Sequence, residues 1–204
     1  RLSWGSSCSE RLWPGSSGSM PSVRVGVFDA ARLLSDREKV SMNIIVDVRH
    51  GADLVSTVDV EGLAAYVLSR EGLPERTEAS IAFVSDDEIQ RLNAEFRGID
   101  RPTDVLSFEC DGMDDAFDQG DVFEGSGMPD EETFLLGDVI IATDVARAQT
   151  ERFGTTPQEE LCVLLVHGLL HLCGWDHVHS DEEAEEMEAR ERELLAGLGM
   201  PGIR

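Results

Sequence analysis

Four of the five histidines, His167, His171, His177 and His179, fall within thirteen residues, and only His50 lies elsewhere. His167 and His171 are four apart, so on a helix they project from one face a turn apart and can share one ion. Gly174 can end such a helix by taking the left-handed conformation, and the chain can then turn back to bring His177 to the same point. Three neutral imidazoles make an open set of ligands with a fourth position for water or substrate, the arrangement of catalytic rather than structural zinc. A single histidine inside an apolar helix would read as a core residue satisfied by a hydrogen bond. Three with this spacing read as a metal site.

The element that must carry the first two is PQEELCVLLVHGLLHL, 157–172, apolar on nearly all faces after its first turn and therefore expected to be buried. Thr156 followed by Glu159 is a capping box, and Pro157 suits the first helical position, where its missing N–H would be unpaired anyway. Ser85 with Glu88 and Ser180 with Glu183 repeat the capping pattern. Upstream, the hydrophobic pattern predicts a strand over 43–48, a helix near 60–70, a strand over 80–84, a helix over 86–96 and strands over 104–108 and 134–142. Three helices then follow. Residues 1–41, Gly/Ser-rich at the start and without a hydrophobic signal core, read as a flexible extension or a misassigned start before a domain at 42–204. The Asp- and Gly-rich stretch 110–133 reads as an acidic mobile surface loop between two strands. Cys8, Cys110, Cys162 and Cys173 show no CxxC and no small-domain spacing, which predicts free thiols in a reducing cytoplasm.

The composition bounds the function. The chain has 204 residues, 41% of them apolar, and a formal net charge of -24. That length suits one domain with a core, or one domain plus a tail, and no apolar run reaches the roughly 18 residues of a membrane span. A pI near 4.3 argues against broad basic binding of nucleic acid. The charge is modular, however. Ten acids and no Lys or Arg lie between Glu109 and Glu132, and eight acids lie between Asp181 and Glu193. Alternating charges on that last helix could dock a basic protein, but a solvated face is the simpler reading.

The spacing H-x-x-x-H-x-x-G-x-x-H is also that of the metzincin proteases, whose general base is a Glu directly after the first His. Gly168 stands there in this chain. Peptidase chemistry is thereby demoted, while the metal geometry is retained. HGLLHLCGWDH, from His167 to His177, resembles the signature of the YbeY endoribonuclease and rRNA maturation factor family. NAEFRGIDRPTDVLSF, 93–108, and LLGDVIIA, 135–142, are similar to two further segments of that family, and the likeness runs over roughly 42–195.

The resemblance implies a single-domain α+β fold, a small mixed β-sheet packed with helices around a zincin-like metal helix. It implies zinc on His167, His171 and His177, and a cytoplasmic, zinc-dependent, single-strand-specific endoribonuclease. The implied work is maturation of rRNA at the 16S 3′ end and ribosome quality control, with the small ribosomal subunit and ribosomal or assembly proteins as partners. Neither membrane nor DNA is implied. Arg97 matches the family's catalytic arginine, able to pair with a phosphate through two parallel hydrogen bonds. Asp138 and Asp176 are additional candidates for shaping the pocket, Asp176 by orienting a ligand imidazole. His179 is expected to face solvent. Two rivals remain: a non-catalytic assembly factor with a structural metal, and a metallopeptidase-like hydrolase with a base recruited elsewhere, such as Asp176. The net charge excludes tight, nonspecific binding over a basic face; it leaves room for a cleft in which a cation and a few arginines meet one phosphate.

Overall fold

Runs of β-branched and aromatic residues alternating between two faces build the sheet of the computed structural model, which describes residues 42–110, 133–177 and 180–203. The expectations for 1–41, for most of 110–133 and for His179 lie outside the described residues. In chain order the elements are β1 (Asn43–Val48), α1 (Ala52–Val55), α2 (Val60–Arg70), β2 (Thr77–Val84), α3 (Asp86–Arg97), β3 (Val105–Glu109), β4 (Phe134–Ala142), α4 (Thr143–Phe153), α5 (Pro157–Leu172) and α6 (Asp181–Gly197). This is the expected α+β domain. The one-turn α1 was not anticipated, and β2 begins three residues before the expected start. Cys162 and Cys173 are free and buried, whereas Cys110 is disulfide-bonded, contrary to the expectation of four free thiols.

The strand order is β1-β2-β4-β3, with β1, β2 and β4 parallel and β3 antiparallel on the edge beside β4, so the sheet is mixed. Its two faces carry separate cores. Ala79, Ile81, Phe83, Val139 and Ile141 face one way, toward the side chains of α2, α5 and α6. Ala82, Val84, Leu106, Ile140 and Ala142 face the other way, toward Ile89 and Leu92 of α3. α4 straddles the two, with Ala146 in the first core and Val145 packed on the second.

One irregularity resets the pattern on β4. The β2–β4 register shifts between Glu78 and Ala79, so that Glu78 pairs with Leu135 but Ala79 with Gly137, leaving Leu136 as the extra residue of a bulge. Gly137 has φ 149, and a Cβ there would meet the Phe108 carbonyl oxygen, so only glycine fits. Leu136 and Asp138 consequently face opposite sides, although strict alternation would put them on the same one.

α5 lies against β3 and β4 and is enclosed by α2, α4 and α6. Its residues Leu161–Val166, Gly168–Leu170 and Leu172 are buried. The approach to the sheet is closest at Gly168, where an added Cβ would lie 2.6 Å from Val139 Cγ1 and 3.0 Å from Val105 Cγ2. The Ser107 hydroxyl of β3 donates to the Gly168 carbonyl at 2.9 Å. Both halves of the capping box at Thr156 and Glu159 are formed, with Glu159 N–H to Thr156 Oγ1 at 3.2 Å and Thr156 N–H to Glu159 Oε2 at 2.7 Å. At the other end Gly174 takes φ 86, and the Trp175 N–H donates to the Leu170 carbonyl at 3.1 Å, the six-to-one bond of a left-handed helix stop.

Candidate metal centre

The reversal at Gly174 folds His177 back over the end of α5. The ligand atoms of His167, His171 and His177 all lie within 4.8 Å of one another, and among the described residues this is the group able to hold an ion. The ring centroids are 4.7 Å apart for His167 and His171, 5.3 Å for His167 and His177, and 5.0 Å for His171 and His177.

The outer nitrogens settle which atoms point inward. His167 Nδ1 lies 3.0 Å from Glu191 Oε2, and His171 Nδ1 lies 2.9 Å from the Trp175 carbonyl oxygen. A carboxylate and a carbonyl only accept, so each Nδ1 carries the proton and each Nε2 keeps its lone pair in the neutral ring. Burial, aided by the neighbouring imidazoles of His167 and His177, pushes His171 down to about 4, which keeps that ring neutral at pH 7. The two Nε2 atoms face each other at 3.1 Å. Two lone pairs at that distance repel unless a positive charge lies between them. The edge of a tetrahedron with metal–nitrogen arms of 2.0–2.1 Å is about 3.3–3.4 Å, close to the spacing found, so the residues fit a tetrahedral zinc ion.

Glu191 was not singled out from the sequence. It is one of the acids of α6, yet it is buried and turned inward. The signal was present: Met187, Leu194, Leu195 and Leu198 form the buried stripe of this segment, and Glu191 occupies the stripe position four residues after Met187. An acid in a buried stripe needs a partner, and His167 is that partner. Asp176 Oδ1 accepts from the His177 backbone N–H at 2.6 Å and so braces the turn that carries the third histidine.

Arg97 and Asp138 stand apart from the imidazoles. Arg97 is the exposed last residue of α3, on the sheet face opposite α5. The edge strand β3 touches both regions: Phe108 packs edge-on against Phe96 at 5.0 Å, and Ser107 bonds Gly168, the residue after His167. Asp138 pairs with Ser80 and Phe108 in the ladders and so shares the α3 face, 1% exposed. Desolvation pushes its carboxyl up to about 6 against the pull of the Ser80 hydroxyl. That hydroxyl is near enough to act on the charge, but neither Asp138 oxygen meets the geometry of a hydrogen bond.

The family model for the endoribonuclease YbeY matches residues 52–199. The chain belongs to the YbeY family. Among relatives that carry the name endoribonuclease YbeY, the protein of Chloroflexus aurantiacus is 44% identical over 142 residues, 70% of this chain and 86% of that one. The Bacillus subtilis protein is 37% identical over 163 residues, 78% of this chain and 98% of its own length. A solution structure from Thermotoga maritima aligns with a TM-score of 0.49 at 25% identity, covering 77% of this chain and 88% of that one. No helix among the described residues of this YbeY protein is long and apolar enough to cross a membrane.

Proposed function

We propose that this YbeY protein is a cytoplasmic, zinc-dependent endoribonuclease that cleaves single-stranded RNA in rRNA maturation, at the 16S 3′ end, and in ribosome quality control. The observation that carries the reading is the pair of inward Nε2 atoms at 3.1 Å, joined by His177. His167, His171 and His177 are the residues that would hold one zinc ion, and a bound ion supplies Lewis acidity toward a phosphoryl oxygen or a water. The names of the relatives support RNA as the substrate.

The chain's own residues supply orientation and charge. Glu191 and the Trp175 carbonyl hold two imidazoles with Nε2 inward. Arg97, exposed and with no ion pair among the described residues, clamps a phosphate through two parallel hydrogen bonds and offsets the charge that grows in the transition state. The β3 edge, which touches α3 at Phe96 and α5 at Gly168, would be the path along which one ribonucleotide strand meets both Arg97 and the imidazoles. The peptidase reading loses further ground at Gly168, because a glutamate there would meet Val139 and Val105 instead of the cleft. The acidic surface favours delivery to RNA through the small ribosomal subunit and its proteins over tight binding to arbitrary RNA.

The test is cleavage of a single-stranded and a duplex RNA by zinc-loaded protein and by His171→Ala purified identically. Cleavage of the single strand that falls to background in the variant supports the reading. Equal cleavage by both proteins assigns the activity to a contaminant, and no cleavage by either favours the assembly factor.

A further inference from the structure

Glu71, at the end of α2, joins the two segments that brace the imidazoles. Its Oε2 accepts from the Trp175 indole Nε1 at 2.8 Å, across 104 positions of sequence. Its Oε1 accepts from Arg190 Nε at 2.8 Å, with the Glu71 side chain only 9% exposed. Arg190 is further fixed by the Arg70 carbonyl at 2.9 Å. Each partner has a direct tie to the centre. Trp175 presents the carbonyl that accepts the hydrogen bond from His171 Nδ1, and Arg190 immediately precedes Glu191, whose Oε2 accepts the one from His167 Nδ1.

We infer that Glu71 is a positioning residue of the metal centre, fixing both groups that aim the imidazoles; this rests on the metal-centre reading above. Docking of α6 does not by itself require the Glu71 contact. Leu194, Leu195 and Leu198 already anchor its end in the core. Gly197 also packs against Tyr66 of α2 so closely that a Cβ there would meet the phenol oxygen. What the Glu71 carboxylate adds is the rotation of α6 at Arg190 and the placement of the turn at Trp175. Those two settings decide where the Glu191 oxygen and the Trp175 carbonyl stand. Its neutral isostere, glutamine, lacks the charge and one acceptor oxygen, so it cannot serve both donors.

The experiment measures zinc affinity of the full chain by competition with a chromogenic chelator, and the visible absorption of the Co2+ form, for wild type, Glu71→Gln and Glu191→Gln. Loss of an outer partner typically weakens metal binding 10–100-fold, so Glu191→Gln should fall in that range and Glu71→Gln, one step further out, about tenfold. The Co2+ bands of Glu71→Gln should shift while its far-ultraviolet circular dichroism stays that of wild type. Zinc affinity within about twofold of wild type and unchanged Co2+ bands would overturn the inference. Should Glu71→Gln fail to fold, Trp175→Phe removes the indole donor and keeps the ring; severalfold weaker zinc supports the inference and unchanged affinity overturns it. Wild-type protein that takes up no zinc overturns both this inference and the proposed function. Wild-type protein that binds zinc but cuts no RNA overturns only the nuclease.

Discussion

Replacing Gly168 by alanine tests how tightly α5 is held to the sheet. The new methyl would lie 2.6 Å from Val139 Cγ1, 3.0 Å from Val105 Cγ2 and 3.4 Å from Ser107 Oγ. Val139 is fully buried on the central strand β4, and a β-branched side chain has little freedom to turn away. Overpacking of a well-filled core costs about 1–3 kcal/mol, and a contact this short against a stiff residue belongs in the upper half of that range. Against this stands the better helix propensity of alanine, about 1 kcal/mol in a helix interior. The net expectation is a loss of about 1–2 kcal/mol. With a urea slope of about 2 kcal/mol per molar, the unfolding midpoint should drop by about 0.5–1 M. The assay is urea denaturation of metal-free protein, so that metal binding does not add to the stability read. A midpoint equal to or above that of wild type, at unchanged slope, would refute the claim that position 168 is closed by the sheet. The peptidase reading would then lose its steric objection.

Three further outcomes are expected. A carboxyl moved from 3.8 to about 6 by burial binds its proton more tightly in the folded chain, so its share of stability, at most about 3 kcal/mol, is present at low pH and lost as pH rises from 4 through 6. Asp138→Asn should therefore gain on wild type in denaturant midpoint between pH 4 and pH 7, and parallel pH curves would show that the carboxyl is not shifted. Thr156→Ala removes one side of the capping box and should lower stability by about 1 kcal/mol, read by thermal unfolding, with faster amide exchange confined to the first turn of α5. Arg97→Ala should lower cleavage of single-stranded RNA by about 10²-fold, and Arg97→Lys should recover only part of it because lysine cannot make the paired hydrogen bonds, with zinc content unchanged in both.

Local signals were the legible ones. The cap at Thr156, the stop at Gly174 and the four-residue spacing of His167 and His171 are each decided within a turn or two of chain, and all stand as expected. The one-turn α1 is too short to show a period. The start of β2 was missed because Glu78, a polar residue paired with Asn43 on the edge strand β1, breaks the apolar pattern there. The side on which Asp138 falls depends on the bulge at Leu136, and a lone glycine inside an apolar run is a weak sign of one. Glu71 and Glu191 were out of reach for another reason. Their importance lies in partners 104 and 24 positions away, and no spacing rule connects such residues.

The three imidazoles lie within eleven consecutive residues, on one helix and the turn that ends it. A peptide of that length can gather all three around a cation without any of the sheet. The unfolded chain should therefore retain metal affinity, and ligand linkage to folding is reduced whenever the unfolded state also binds. Zinc is then expected to raise the melting temperature of this protein less than its affinity for the native site would suggest. A chain emerging from synthesis could load its ion before Glu191, twenty residues past His171, has been made.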